Sequence, residues 1–151
     1  MSEKGNIDFK DGRKYVGELE GGLPHGQGVL SDPQGARYEG MFKMGKFHGY
    51  GRLTTADGVV HLGEYKDGLF EGFGELSHPD GTVYRGQFVN GKFHGNGIIT
   101  MVDGKKWVGG FVDGQMSGDG VITLPDGQQV AGTYADGKFT IKTAGEPEGN
   151  G

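Results

Sequence analysis

YRGQFVNGKFHGNGIITMVDG, residues 84–104, is the stretch from which almost the whole chain is built. Its opening position recurs as Tyr15, Tyr38, His61, Tyr84, Trp107 and Val130, each 23 residues after the last, with no insertion or deletion. Glycine columns keep the same step: Gly17 to Gly132, Gly22 to Gly137, Gly26 to Gly118, Gly28 to Gly120 and Gly12 to Gly127. With Gly5, in register with Gly28, these columns hold 29 of the 34 glycines, so glycine here is architectural and not the mark of a linker. A strict period of this length signals a repeat architecture.

Helix is excluded by spacing, because no glycine-free run inside the array exceeds six residues, less than two helical turns. Each interior glycine would also cost a helix about 0.5–1 kcal/mol relative to alanine. The period-2 test favours strand. Tyr84, Gly86 and Phe88 alternate with Arg85, Gln87 and Val89, which gives one aromatic–glycine–aromatic face and one mixed face. A glycine between two rings leaves room for them to lie down over the backbone. In the second half of each unit an apolar column (Leu30, Leu53, Leu76, Ile99, Ile122) is followed by a hydroxyl column (Ser31, Thr54, Ser77, Thr100, Thr123), the pattern of a half-buried strand. Segments such as NGKFHG within units, and DG pairs at Asp57, Asp80, Asp103 and Asp126 between them, have hairpin-turn chemistry. The fold expected is all-β, an elongated single-layer antiparallel β-hairpin solenoid of about 5.5 to 6 repeats, one hairpin per unit.

A half unit spans residues 5–14, behind an N-terminal extension of residues 1–4. Full units start at 15, 38, 61, 84 and 107, and a partial one covers 130–142. Residues 143–151 have the composition of a disordered tail.

An apolar content of 33% in 151 residues is poor material for one round core but enough for stacked units. The net charge is −5 and the 15 basic residues are scattered, Lys105 and Lys106 being among the densest pairs. A stripe able to replace nucleic-acid counterions is missing, so no nucleic-acid partner is expected. Cysteine is absent, which excludes disulfides and thiolate metal sites. No secretory or membrane-spanning pattern is visible, and a soluble cytoplasmic protein is expected.

The repeated pattern YEGMFKMGKFHGYGRL (residues 38–53) with its trailing DG resembles the MORN repeat, membrane occupation and recognition nexus, over residues 5–142. The resemblance implies an elongated, curved array with an aromatic-rich groove that holds a helical or extended segment of another protein. It implies an adaptor or scaffold, often in cytoskeletal, ciliary or flagellar assemblies and with cytoskeletal or motor proteins as partners. Peripheral binding to anionic phospholipid or phosphoinositide is the alternative, and an end-to-end homodimer through the C-terminal unit is a further expectation, with Lys138 and Lys142 flanking FTI.

The candidate partner-binding residues are Tyr15, Tyr38, Phe42, Tyr65, Tyr84, Phe88, Trp107, Phe111 and Tyr134. A single-layer sheet has no second layer to cover them, so the row either packs on itself along the axis or stays open to a partner. A second row, Phe47, Phe70, Phe93, Met116 and Phe139, lies between the two strands of each unit and is expected to fold back over one end of the hairpin. His25, His48 and His94 share a column, but units about 10 Å apart cannot place two imidazoles on one metal ion. The column also accepts Glu71 and Ser117, as a turn position would. The DG aspartates cap turns, and no GxxxxGK[ST] sequence is present. Neither catalytic residues nor a metal or cofactor are expected.

Overall fold

The structure, a computed structural model, describes residues 3–142. Among them, 13 strands form one sheet in which every strand pairs only with its neighbours in sequence. The strands are β1 (Glu3–Asp8), β2 (Lys14–Glu20), β3 (Leu23–Ser31), β4 (Arg37–Lys43), β5 (Lys46–Thr54), β6 (Val60–Lys66) and β7 (Leu69–Ser77). They continue as β8 (Val83–Val89), β9 (Lys92–Thr100), β10 (Lys106–Val112), β11 (Gln115–Thr123), β12 (Gln129–Ala135) and β13 (Lys138–Ile141). All pairings are antiparallel, so the hairpin-per-unit meander expected from the period is the fold. Glu3 and Lys4, placed ahead of the array by the glycine columns, pair with Leu19 and Glu18 and belong to β1. The proposed tail at 143–151 lies outside the described residues.

Two turn types alternate. At the tip of each hairpin a left-handed residue precedes a left-handed glycine: Asn90 (φ 51°) and Gly91 (φ 82°), or Met44 (φ 48°) and Gly45 (φ 87°). Two consecutive positive φ angles are the signature of a type I′ turn, whose twist suits the flanking strands. Between units a DG turn closes a three-residue loop, as where the Gly58 N–H donates to Thr55 O and the Thr55 N–H donates to Val59 O. Aspartate side chains fix these loops: Asp80, Asp103 and Asp126 accept from the N–H of Thr82, Lys105 and Gln128 at 2.9, 3.0 and 2.9 Å. Those hydrogen bonds hold the Asp80 and Asp103 carboxyls below their ordinary range.

The hairpins are bent, and the register explains why. In β4 and β5, Gly40 pairs with Gly51 and Phe42 with Phe47, so one residue on the first strand faces three on the second. The surplus is taken up at Gly49, with φ of 85°, and the same column is left-handed at Gly26, Gly72, Gly95 and Gly118. Extra residues on one strand bend and twist the pair. The bend closes toward the aromatic face. Tyr38 and Phe42 would stand about 13 Å apart on a flat strand, yet their ring centroids are 5.1 Å apart.

Inside the bend each opening aromatic lies flat on a floor of paired glycines. A Cβ on Gly97 would stand 2.6 Å from the Tyr84 hydroxyl, and one on Gly86 would also be 2.6 Å from it. That close approach is why these columns accept no side chain.

Candidate partner-binding groove

The bend buries the first aromatic row. Tyr15, Tyr38, Phe42, Tyr65, Tyr84, Phe88, Trp107 and Phe111 are all 0–4% exposed, and only Tyr134 of the nine candidates is half-buried. Of the two roles open to the row, self-packing along the axis is the one the geometry displays. Tyr15 meets Phe42 of the next unit at 5.0 Å and 85°, Tyr38 meets Tyr65 at 5.2 Å and 89°, and Tyr84 meets Phe111 at 5.0 Å and 89°. Trp107 and Tyr134 continue the series at 4.9 Å and 84°. Edge-to-face contacts of this kind add about 0.5–1.5 kcal/mol each beyond the area they bury.

Polar atoms on these rings turn inward to the backbone. The hydroxyls of Tyr15, Tyr38 and Tyr84 donate to the carbonyls of Glu18, Met41 and Gln87 at 2.6, 2.9 and 2.7 Å. The Trp107 Nε1–H makes the same bond to Gly110 O at 3.2 Å. Each of these carbonyls sits at the bulge, where the ladder leaves it without a strand partner. The side chain thus closes the gap that the bend opens. Burial pushes the Tyr38 and Tyr84 hydroxyls up to about 12. Tyr65 stands in the phenylalanine column, and its buried hydroxyl has no hydrogen-bond partner among the described residues.

What covers the first row is the second. Phe47 stacks on Tyr38 at 3.8 Å and 10°, and Phe93 on Tyr84 at 3.8 Å and 9°. These residues are not in the turn, where their position between two glycine columns suggested; they are second in β5 and β9. Folding back, the expected role, is what they do, but over the unit's own opening ring. Where that ring is missing the arrangement changes. With His61 or Val130 in the opening slot, Phe70 or Phe139 drops onto the glycine floor instead: a Cβ on Gly74 would be 2.8 Å from Phe70 Cζ, and one on Gly132 would meet the Phe139 ring. Phe70 is accordingly only 3% exposed, whereas Phe47 and Phe93 remain half-buried.

The surface left inside the bend is therefore built from the second strands: Phe47, Phe93 and Met116 with the aliphatic column Leu30, Leu53, Ile99 and Ile122, all half-buried. The aliphatic column is legible in the sequence as the inner face of a half-buried strand, and the Phe47 row as rings that fold back. Their joint exposure depends on the bend. Two recesses open along this lining. One of about 230 Å³ joins Leu30, Phe47 and Leu53 to Arg13, Asp32 and Arg37. The other, about 390 Å³, joins Ile99, Met116 and Tyr134 to Gln115 and Asp136. The groove is apolar along its floor, with charges of both signs at its N-terminal recess and a carboxylate, Asp136, at its C-terminal one.

The histidine column has a structural task. His25 Nδ1 accepts the Met44 N–H at 3.1 Å, His48 Nδ1 the Asp67 N–H at 3.5 Å, and Glu71 Oε1 the Asn90 N–H at 3.0 Å. Each satisfies the left-handed residue at the next hairpin's tip, so glutamate serves as well as histidine. Among the described residues no three His, Cys, Asp or Glu side chains gather into a set that would hold a metal ion. Lys105, half of one of the densest basic pairs, lies 3.5 Å from Asp103.

Among solved structures, the chain is similar to the TCP domain of SAS-4 (dCPAP) in complex with a proline-rich motif of Ana2 (dSTIL) of Drosophila melanogaster. The TM-score is 0.43 with 15% identity, over 93% of this chain and 90% of that one. No curated protein matches the chain by sequence. The MORN repeat matches five consecutive segments, residues 15–37, 38–60, 61–83, 84–106 and 107–129. These boundaries coincide with the opening aromatic slots, and each segment holds one bent hairpin of the sheet. With about three quarters of its length in tandem matches, the chain belongs to the MORN-repeat family.

Proposed function

We propose that this chain is a non-enzymatic scaffold that holds an apolar segment of another protein along the inner groove of its bent sheet. MORN repeats are interaction modules, for proteins or for membranes. The observation that carries the protein reading is the half-buried lining of Phe47 and Leu53 in one unit and of Phe93, Ile99 and Met116 in two later ones, with Phe70 and Leu76 of the unit between them sunk into the core. A continuous apolar groove is the receptor an amphipathic helix requires. The spacing fits one: units advance about 9.6 Å, two strand separations, and a helix advances about 10.5 Å in seven residues. One apolar residue per heptad therefore keeps step with the units. The cytoskeletal, ciliary or flagellar setting and a motor-protein partner, implied by the family resemblance, complete the proposal.

The test is affinity capture of the tagged protein from its native cells, with Leu53→Glu and Met116→Glu as groove variants and Val102→Glu, in an exposed turn, as control. A defined partner carrying a heptad-patterned segment should be retained by the wild type and the control. It should be lost from both groove variants while their circular dichroism stays native. Retention by both folded groove variants overturns the reading.

A further inference from the structure

The face outside the bend carries a pattern that the repeat does not explain. Registered pairing aligns Glu39 on β4, Arg52 on β5, Leu62 on β6, Glu75 on β7 and Arg85 on β8 into one unbroken row across the sheet. All five point away from the aromatic core. Leu62 is 47% exposed, and the Glu39 and Arg85 side chains are 50% and 73% exposed. In a plain repeat, equivalent positions one unit apart would hold the same residue. Here the charges change sign about β6: Glu39 against Arg85 on the first strands of their units, Arg52 against Glu75 on the second strands.

This antisymmetry is the condition for a surface to complement itself. Turn a second copy by a half rotation about an axis along β6, outer face to outer face. Strand β6 then lies over β6, β5 over β7 and β4 over β8. Leu62 meets Leu62, Arg52 meets Glu75 and Glu39 meets Arg85 of the second copy. The match continues outward along this row and at the centre of the next. Outward along the row, Val29 meets Ile98 and Val16 meets Val108. In the parallel row nearer the unit-joining turns, Val60 meets Val60 and Thr54 meets Ser77. A two-fold interface requires such self-complementarity, residue i meeting j and j meeting i.

We propose that the outer face centred on β6 docks onto the same face of a second copy of this chain. The interface is a face-to-face sheet sandwich, with Val60 and Leu62 at the axis and four ion pairs around them, two from each copy's Arg52 and Arg85. Neighbouring charges within one chain do not compete fully, since a carboxylate accepts from several donors: Glu75 accepts from Arg85 Nε of its own chain and keeps its second oxygen. Three like-charge matches oppose the arrangement: Lys14 meets Lys106 at the ends of the row of Val60, Lys66 meets its own copy on the axis, and Glu64, two residues beyond Leu62, does the same. The grooves lie on the opposite faces, so the dimer presents two of them back to back. The proposal does not rest on the groove reading.

Sedimentation equilibrium on the full chain tests it. The wild type should associate reversibly to a dimer that weakens as salt screens the ion pairs. Arg52→Glu/Arg85→Glu makes the row wholly acidic, and Glu39→Arg/Glu75→Arg makes it wholly basic. Each variant alone should associate at least about tenfold more weakly than the wild type, because like charges then face each other. Mixed, the two should form a one-to-one complex. Glu64→Gln, which removes one of the repulsions on the axis, should tighten the wild-type dimer. The proposal is overturned by a wild type that stays monomeric up to about 1 mM at low salt. It is equally overturned by acidic and basic variants that each dimerise like the wild type, which would place assembly elsewhere, as at the free edge of β13, or by a mixture that does not combine.

Discussion

Phe70 stacks on His61 with ring centroids 5.0 Å apart and planes 25° from parallel, lying over Gly63 and Gly74 where neighbouring units hold a tyrosine. It also contacts Tyr65 at 4.8 Å and Phe88 of the following unit at 4.4 Å, so one ring bridges the unit whose opening aromatic is lost. Truncation should therefore hurt most here. Phe70→Ala is expected to cost about 3–5 kcal/mol, the range for a buried ring. Phe93→Ala, at the half-buried equivalent position, should cost clearly less. Urea denaturation of the two variants checks the order, and equal losses would mean that Phe70 is not the bridge.

The same chemical change should have opposite signs at two tyrosines. The Tyr65 hydroxyl is buried without a partner among the described residues, and removing an unsatisfied buried group recovers its desolvation cost. Tyr65→Phe is expected to stabilise by about 1 kcal/mol. Tyr84 donates to Gln87 O at 2.7 Å, so Tyr84→Phe strands that carbonyl at the bulge and should destabilise by about 1–2 kcal/mol. Denaturant midpoints at constant slope distinguish the two.

Glycines of two kinds should respond differently to alanine. At Gly97 a Cβ would stand 2.6 Å from the Tyr84 hydroxyl and 2.7 Å from its ring. Gly97→Ala must lift the ring off its floor and break its hydrogen bond, at a cost above about 3 kcal/mol. Gly91 has nothing within 4 Å of such a Cβ, but its φ of 82° is left-handed. Gly91→Ala should cost only about 1–2 kcal/mol, the strain of that conformation. Thermal melts of both variants measure the gap.

These contrasts also mark what the sequence discloses and what it does not. Period, strand alternation and the glycine floor are local: Tyr84, Gly86 and Phe88 share a face whatever the sheet does next. The bend is not local, because it arises from Gly40 pairing with Gly51 while Phe42 pairs with Phe47, a register set jointly by two strands. Its signal was nonetheless present. The column of Gly49 has no ring to make room for, and a glycine inside a strand without that duty marks a bulge or bend. Once the strand bends, the row expected to face a partner becomes the core, and the groove passes to Phe47, Leu53 and Met116. The outer row from Glu39 to Arg85 was hidden for another reason. Its meaning lies in departures from the repeat, and reading the columns for sameness passes over them.

Alkaline pH should loosen the array through its tyrosines. Burial pushes the Tyr38 and Tyr84 hydroxyls up to about 12. It also raises those of Tyr15 and Tyr65, with the nearby Glu18 carboxylate adding to the first and Tyr38 to the second. An unfolded tyrosine ionises near 10. Between those values the folded state retains protons that the unfolded state releases, so stability falls as pH rises. The contribution is fully present below about pH 10 and is lost progressively up to about pH 12. Denaturation curves across that interval should show a steady decline, with tyrosinate absorbance rising together with the loss of near-ultraviolet dichroism. Tyr84→Phe, already less stable at neutral pH, should decline less steeply, because one of the groups that drive the loss is gone. A slope equal to that of the wild type would show that Tyr84 takes no part in the alkaline loss.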